Sequence, residues 1–168
     1  MVKENFFRYI YDKRSELQQL RFRDILMARA ITDIHRHSIR KKQKVVPLWS
    51  IHPIHCLDRP TAMARLDERI RVLTEHKDEI KRLRTLTRNR LLNYLPSISG
   101  IKVIRDGRGG YISFEGNGRV EAFRRVFSSG DNLRLEVEVY TVDDPKKILR
   151  RVRRVQKRNF NLGSNNPG

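Results

Sequence analysis

Apolar residues recur along this chain with a helical period in some stretches and alternate strictly in others, and the changes between the two rhythms predict its elements. Leu17, Leu20, Met27, Ile31 and Ile34 are spaced by three, four or seven positions, one stripe of a helix. Residues 1–44 therefore read as helix, with Arg14, Arg21, Arg29 and Arg36 on the other faces, running out into a basic linker, "RHSIRKKQK". At Val45 the rhythm breaks. "VVPLWSIHPIHCLDRPTAM" opens on a β-branched run and carries Pro47 and Pro53, which predicts an edge strand followed by a loop. After Asp58-Arg59-Pro60-Thr61, a capping segment with proline near the first turn, Met63, Leu66, Ile70 and Leu73 share one helical face. Helical spacing continues over residues 75–95 through Ile80, Leu83, Thr87 and Leu91. Lys81, Arg82, Arg84, Arg88 and Arg90 surround those positions, so this helix is expected to be peripheral and basic.

Pro96 and Gly100 close that region, and "IKVIRDGRGGYISFEG" predicts two strands joined by a Gly-rich turn at Asp106-Gly107. "RVEAFRRVF" then predicts a helix with Val120, Phe123 and Phe127 toward a core and Arg124 and Arg125 outward. The strictest alternation lies in "LRLEVEVYTV": Leu133, Leu135, Val137 and Val139 point one way and Arg134, Glu136, Glu138 and Tyr140 the other, so one face is expected to be buried. Asp143-Asp144-Pro145 caps a last helix whose apolar seam is Ile148, Val152 and Val155. Lys146, Lys147, Arg150, Arg151, Arg153, Arg154, Lys157 and Arg158 cover the rest of it, and residues 159–168 read as a flexible polar tail.

Composition turns this outline toward a partner. The chain has 168 residues, 38% of them apolar and 33% charged, enough for one compact domain with extensions. The net charge of +18 comes from 26 Arg and 11 Lys against 19 acids, an excess that suits a polyanion: nucleic acid, nucleotide phosphate or an anionic membrane surface. Eight cations within residues 146–158 repel one another at intervals of three and four unless a polyanion neutralises them. The single cysteine, Cys56, excludes an internal disulfide or a CxxC motif and points to a reducing intracellular compartment such as cytoplasm, nucleus or organelle matrix. No apolar run reaches the roughly 20 residues of a membrane span. His35, His37, His52, His55 and Cys56 fall in two groups separated by a linker of different character, so no metal site is expected. Phe6, Phe7, Tyr9 and Tyr11 read as hydrophobic anchors of the N-terminal helix, for this domain or a protein partner.

Two stretches carry a family resemblance. "VVPLWSIHPIHCLDRPTAMARL" and "GYISFEGNGRVEAFRRV" resemble the "VPL" strand with its Asp-Pro helix start, and the strand-turn-helix signature, of the ParB/sulfiredoxin superfamily. Together they cover about residues 45–72 and 101–142. The resemblance implies an α+β fold, a small mixed sheet with helices, here elaborated by a long basic N-terminal helix (1–44) and a basic C-terminal helix. The domain itself would span 45–158, with a helical insertion at about 74–99.

The departures from the family pattern matter as much. Sulfiredoxins place a nucleophilic cysteine at the signature turn, and the matching position here is Asn117, whose amide cannot do a thiolate's work. The signature arginine, a phosphate contact in the family, matches Arg119. The Lys, Ser and Thr that the sulfiredoxin first helix offers to nucleotide match Ala62, Arg65 and Arg69. The acidic-Asn-x-x-Arg segment of ParB-type domains corresponds to "RRVRRVQKRN", which lacks its carboxylate.

The resulting expectation is a non-redox binding protein. Gly116, Asn117, Gly118, Arg119, Arg65 and Arg69 would hold phosphate, and the cations of residues 146–158 would grip an RNA or DNA backbone, as one subunit of a nucleoprotein assembly. Two alternatives stand beside it: an NTP-binding hydrolase or phosphotransferase taking ATP or CTP, with Glu115 as candidate base, and a scaffold subunit of a large complex, organellar or membrane-associated. The glycines and Arg119 would equally serve a bare turn in which Arg119 caps Glu115.

Overall fold

A computed structural model describes the backbone of residues 22–55, 57 and 59–160 and the side chains of 24–55, 57 and 59–157. The helical reading of residues 1–21, with Leu17, Leu20 and the four N-terminal aromatics, lies outside these residues, as do Cys56, Asp58 and residues 161–168 of the expected tail; its first two residues, Asn159 and Phe160, are not tail but the end of the last helix. Among the described residues the chain is α+β, with six α-helices and a mixed sheet of six strands. The helices are α1 (Phe22–Arg36), α2 (Pro60–Glu75), α3 (Lys77–Leu83), α4 (Arg88–Tyr94), α5 (Asn117–Val126) and α6 (Pro145–Phe160). The strands are β1 (Ser38–Pro47), β2 (Ile51–Pro53), β3 (Thr85–Leu86), β4 (Lys102–Arg105), β5 (Tyr111–Glu115) and β6 (Arg134–Val142).

The sheet runs β1-β6-β4-β5-β2, with β3 beside the start of β6. β1 is antiparallel to β6 and β4 to β5, while β6 with β4, β5 with β2 and β3 with β6 are parallel pairs. Helices cover both faces. Leu135, Val137 and Val139 of β6 face a core completed by Leu66 and Leu73 of α2, Ile80 of α3, Leu91 of α4 and Val120 and Phe123 of α5. Tyr140 and Val142 face the opposite way, into a second core with Ile34 of α1 and Ile148, Val152 and Val155 of α6. The expectation of one buried face on this strand is thus corrected: β6 is half-covered where it starts and covered on both faces where it ends, because α1 and α6 pack only across its C-terminal half. His35 is exposed at the border of this second core, its ring edge-on to Phe114 and Tyr140.

Two further expectations are corrected. "SIRKKQKVVP" is not a linker but strand β1, begun at Ser38 rather than Val45 and paired with β6 along its length. It carries no two-residue alternation because Ile39 to Lys44 are exposed; the order comes from the backbone ladder, and lysines on a sheet edge discourage further strand addition. Residues 75–95 are not one helix. Arg84 takes a left-handed conformation (φ 57°), the chain extends as β3, and Thr87 caps α4 by accepting from Arg90 N–H. Nor is that region peripheral, since Ile80, Leu86, Leu91 and Leu95 are buried. At α2 the cap position is Arg59, with Pro60 opening the helix. Asp144 does cap α6, accepting from Lys147 N–H at 3.0 Å.

The loop between β4 and β5 is fastened by Asp106, whose carboxylate accepts from Arg108 N–H at 2.6 Å and Gly110 N–H at 3.0 Å. Among the described residues, no helix is long and apolar enough to cross a membrane.

Candidate anion-binding site

The site forms where β5 ends and α5 begins. Gly116 sits between them at φ 86°, a left-handed turn that opens α5 with no side-chain cap on its first N–H groups. A side chain here would meet Arg119 Nη2 and Ile101, both at 3.0 Å, so glycine is required for space as well as conformation. Gly118 is constrained from the other side: a Cβ there would lie 2.1 Å from Arg69 Nη1, so the Arg69 guanidinium rests directly on the helix backbone.

The cavity so made has a volume of about 380 Å³. Arg65 and Arg69 reach it from α2, Gly116 to Arg119 from α5, and Ser97 and Ser99 from the segment before β4. All six phosphate-binding positions expected from the sequence therefore meet in one place. Ala62 lines it too. His55, Ser97, Ser99 and Phe114 were not anticipated; nothing local in the sequence distinguishes them.

The three arginines form a gradient of burial, Arg65 exposed, Arg69 half-buried and Arg119 buried at 3% exposure. Arg119 Nη2 donates to the Gly100 carbonyl at 3.1 Å, whereas Nη1 is buried with no hydrogen-bond partner among the described residues. Burial first, and the neighbouring Arg69 charge second, push the Arg119 pKa down to about 10, with Glu115 opposing. Arg69 is lowered likewise, by burial and then by Arg65. Like charges packed together out of water are the arrangement expected of a site awaiting an anion.

Glu115 is not capped by Arg119. Its carboxylate accepts from Ser99 Oγ at 2.6 Å and pairs with Lys102 Nζ at 2.7 Å. Burial alone would raise its pKa, but the Lys102 and Ser99 hydrogen bonds outweigh it and hold the carboxyl below its ordinary value. So engaged, it is a weak proton acceptor. Asn117 is buried and its Oδ1 accepts from Ser113 Oγ at 2.6 Å, tying the first residue of α5 to β5. Asn117 is thus a structural clasp.

The cations of α6 divide. Lys146, Arg150, Arg153, Arg154 and Lys157 are exposed and Lys147 is partly so. Arg151 is engaged within the fold, paired with Asp33 of α1, and the Arg158 side chain lies outside the described residues. β1 adds Arg40, Lys41, Lys42 and Lys44, all exposed. No group of three or more His, Cys, Asp or Glu able to hold a metal occurs among the described residues.

Comparison with protein-family models, curated proteins and solved structures finds no match to this chain.

Proposed function

We propose that this chain is a non-redox binding protein of ParB/sulfiredoxin-like type that grips the phosphates of RNA or DNA as part of a nucleoprotein assembly. The carrying observation is Arg119, which lines one cavity with Arg65 and Arg69 and whose Nη1 is a buried cationic donor without a hydrogen-bond partner among the described residues. Buried charged donors are normally satisfied, and a phosphate oxygen would supply both the acceptor and the counter-charge. The N-terminus of α5, which has no side-chain cap, adds backbone N–H groups and a partial positive charge at the same point. The exposed cations of α6 and β1 would extend the contact along a backbone, as the net charge of +18 requires of a polyanion partner. Support for the family resemblance comes from the order strand, Gly turn, arginine, helix, set in a mixed sheet.

A cavity of about 380 Å³ also falls within the size range of small-molecule sites, which favours one second reading: an NTP-binding hydrolase or phosphotransferase taking ATP or CTP. Against its catalytic part stands the engagement of Glu115 with Lys102 and Ser99. Fluorescence anisotropy with labelled 20-nucleotide strands and duplexes across a salt series separates the two. The nucleic-acid reading expects affinity that falls steeply with salt, and Arg119→Ala should weaken binding to every sequence and reduce the salt slope by about 1. Saturable ATP or CTP binding that Arg119→Ala abolishes, together with weak and salt-insensitive nucleic-acid binding, would overturn it.

A further inference from the structure

Next to the arginine cavity lies a larger one, of about 680 Å³, against the β2 edge of the sheet. Its distinctive wall is Trp49, 39% exposed. Arg124 lies over the indole at 4.6 Å from the ring centre and is itself anchored, donating from Nη1 to the Ile51 carbonyl at 2.7 Å. One face of the ring thus carries a cation that is fixed to the backbone, and Arg124 and Trp49 together line the cavity. Arg125 and Lys157 stand exposed at the same cavity, and Glu121 is neutralised by its ion pair with Arg125 at 2.9 Å.

The two cavities adjoin. Leu57 lines both, and α5 borders both, with Gly118 in the first and Glu121 in the second, one helical turn or about 5 Å apart. A strand with a phosphate in the first cavity would lay an adjacent nucleoside at the second.

We propose that the Trp49 cavity is a stacking subsite for one unpaired base, so that the ligand is a single-stranded nucleic acid with its phosphate among Arg65, Arg69 and Arg119. This rests on the phosphate-binding reading above and adds to it the choice of single strand over duplex. A paired base has both faces occupied by its neighbours, whereas an unpaired base can exchange a neighbour for an aromatic ring. The charges around the indole suit a nucleic acid better than a neutral peptide.

Trp49 is the chain's one tryptophan, so its emission reports this subsite alone. The full-length protein is titrated with a 12-nucleotide DNA strand, an RNA of the same sequence, the matching duplex, inorganic polyphosphate and a proline-rich peptide, and affinities are measured in parallel by competition with a labelled strand. Single strands should quench the emission, while polyphosphate should compete for binding without quenching. Trp49→Ala should weaken single-strand binding about 5- to 100-fold, the range for losing one stacked base, and leave polyphosphate affinity unchanged. Trp49→Phe should recover part of the loss, which guards against a merely misfolded Ala variant. Tight strand binding with unchanged emission and no Trp49→Ala effect would overturn the stacking subsite and leave the phosphate reading standing. Quenching by duplex equal to that by single strand, or by the peptide alone, would overturn it as well. Failure of every nucleic acid and of polyphosphate to bind would overturn both.

Discussion

Replacing Arg119 by Met should separate stability from binding. In the fold this guanidinium is 3% exposed, holds the Gly100 carbonyl and lies near Arg69. Burial, and then the Arg69 charge, bring its pKa down to about 10, and the drop from arginine's ordinary value amounts to about 3 kcal/mol against the charged side chain in the folded state. Methionine has similar reach and removes that penalty, but it leaves the Gly100 carbonyl without its donor at a cost of about 1–3 kcal/mol. The two effects nearly cancel. The variant should therefore unfold in urea within about 1 kcal/mol of the wild type, where a buried large side chain cut to Ala usually costs about 2–5 kcal/mol. The pH dependence has a definite sign. Because the folded pKa lies below the unfolded one, the penalty is fully present below pH about 10 and is relieved as pH rises above it, so the wild type should gain on the variant only in that alkaline range. Polyphosphate at 100 times its Kd should stabilise the wild type by about 2.7 kcal/mol and the variant by almost nothing. A variant destabilised by more than about 3 kcal/mol yet still stabilised by polyphosphate would refute the reasoning, since Arg119 would then be a strut and not a ligand.

Four other outcomes are expected. Gly118→Ala places a methyl where Arg69 Nη1 rests, so Arg69 must withdraw; polyphosphate affinity should fall about tenfold in calorimetric titration while thermal stability stays near that of the wild type, and unchanged affinity would contradict the close approach. Asn117→Cys sets a thiol at the N-terminus of α5 beside three arginines, so its pKa, read from iodoacetamide rates against pH, should fall to about 7 or below; a value near the ordinary 8.5 or so would show the field is weaker than the geometry implies. Glu115 is held below its ordinary pKa, so its contribution to stability is present above that ordinary value and is lost as pH falls through the folded one; Glu115→Gln should abolish that part of the acid dependence in urea melts, and identical acid profiles would show the Lys102 pair is inert. Asp33→Asn should cost about 1 kcal/mol by releasing the partly exposed Arg151 between α1 and α6, and no loss of thermal stability would mean the two helices are joined by their apolar seam alone.

Which of these residues could be read before folding depends on how local their signals are. The alternation from Leu133 to Val139, the seam of Ile148, Val152 and Val155, the Asp144-Pro145 start and the Gly turn at Asp106-Gly107 were all legible, because periodicity and turn chemistry act within a few residues. The helix over Met63 to Leu73 and the one opened by Gly116 were legible for the same reason. Strand β1 was not. Its lysines and arginine are exposed, and its order comes from the ladder with β6, which lies about a hundred residues away in the chain. The break at Arg84 was hidden as well, since a non-glycine residue in a left-handed turn leaves no signature in a helical pattern.

The sequence by itself determined the α+β class, the strong positive charge and the glycine turn with its arginine. It named Arg65 and Arg69 through a family resemblance, without any local sign that they face the turn. Only the tertiary structure decided that these arginines converge, that Arg119 loses its solvent, that Arg151 is tied to Asp33 and that Arg124 lies over the Trp49 ring. The reason is that burial and convergence belong to the packing of α2, α5 and α6 around one sheet. A residue's neighbours in the chain set its backbone rhythm, but what lies against its side chain is set by elements far away along the chain.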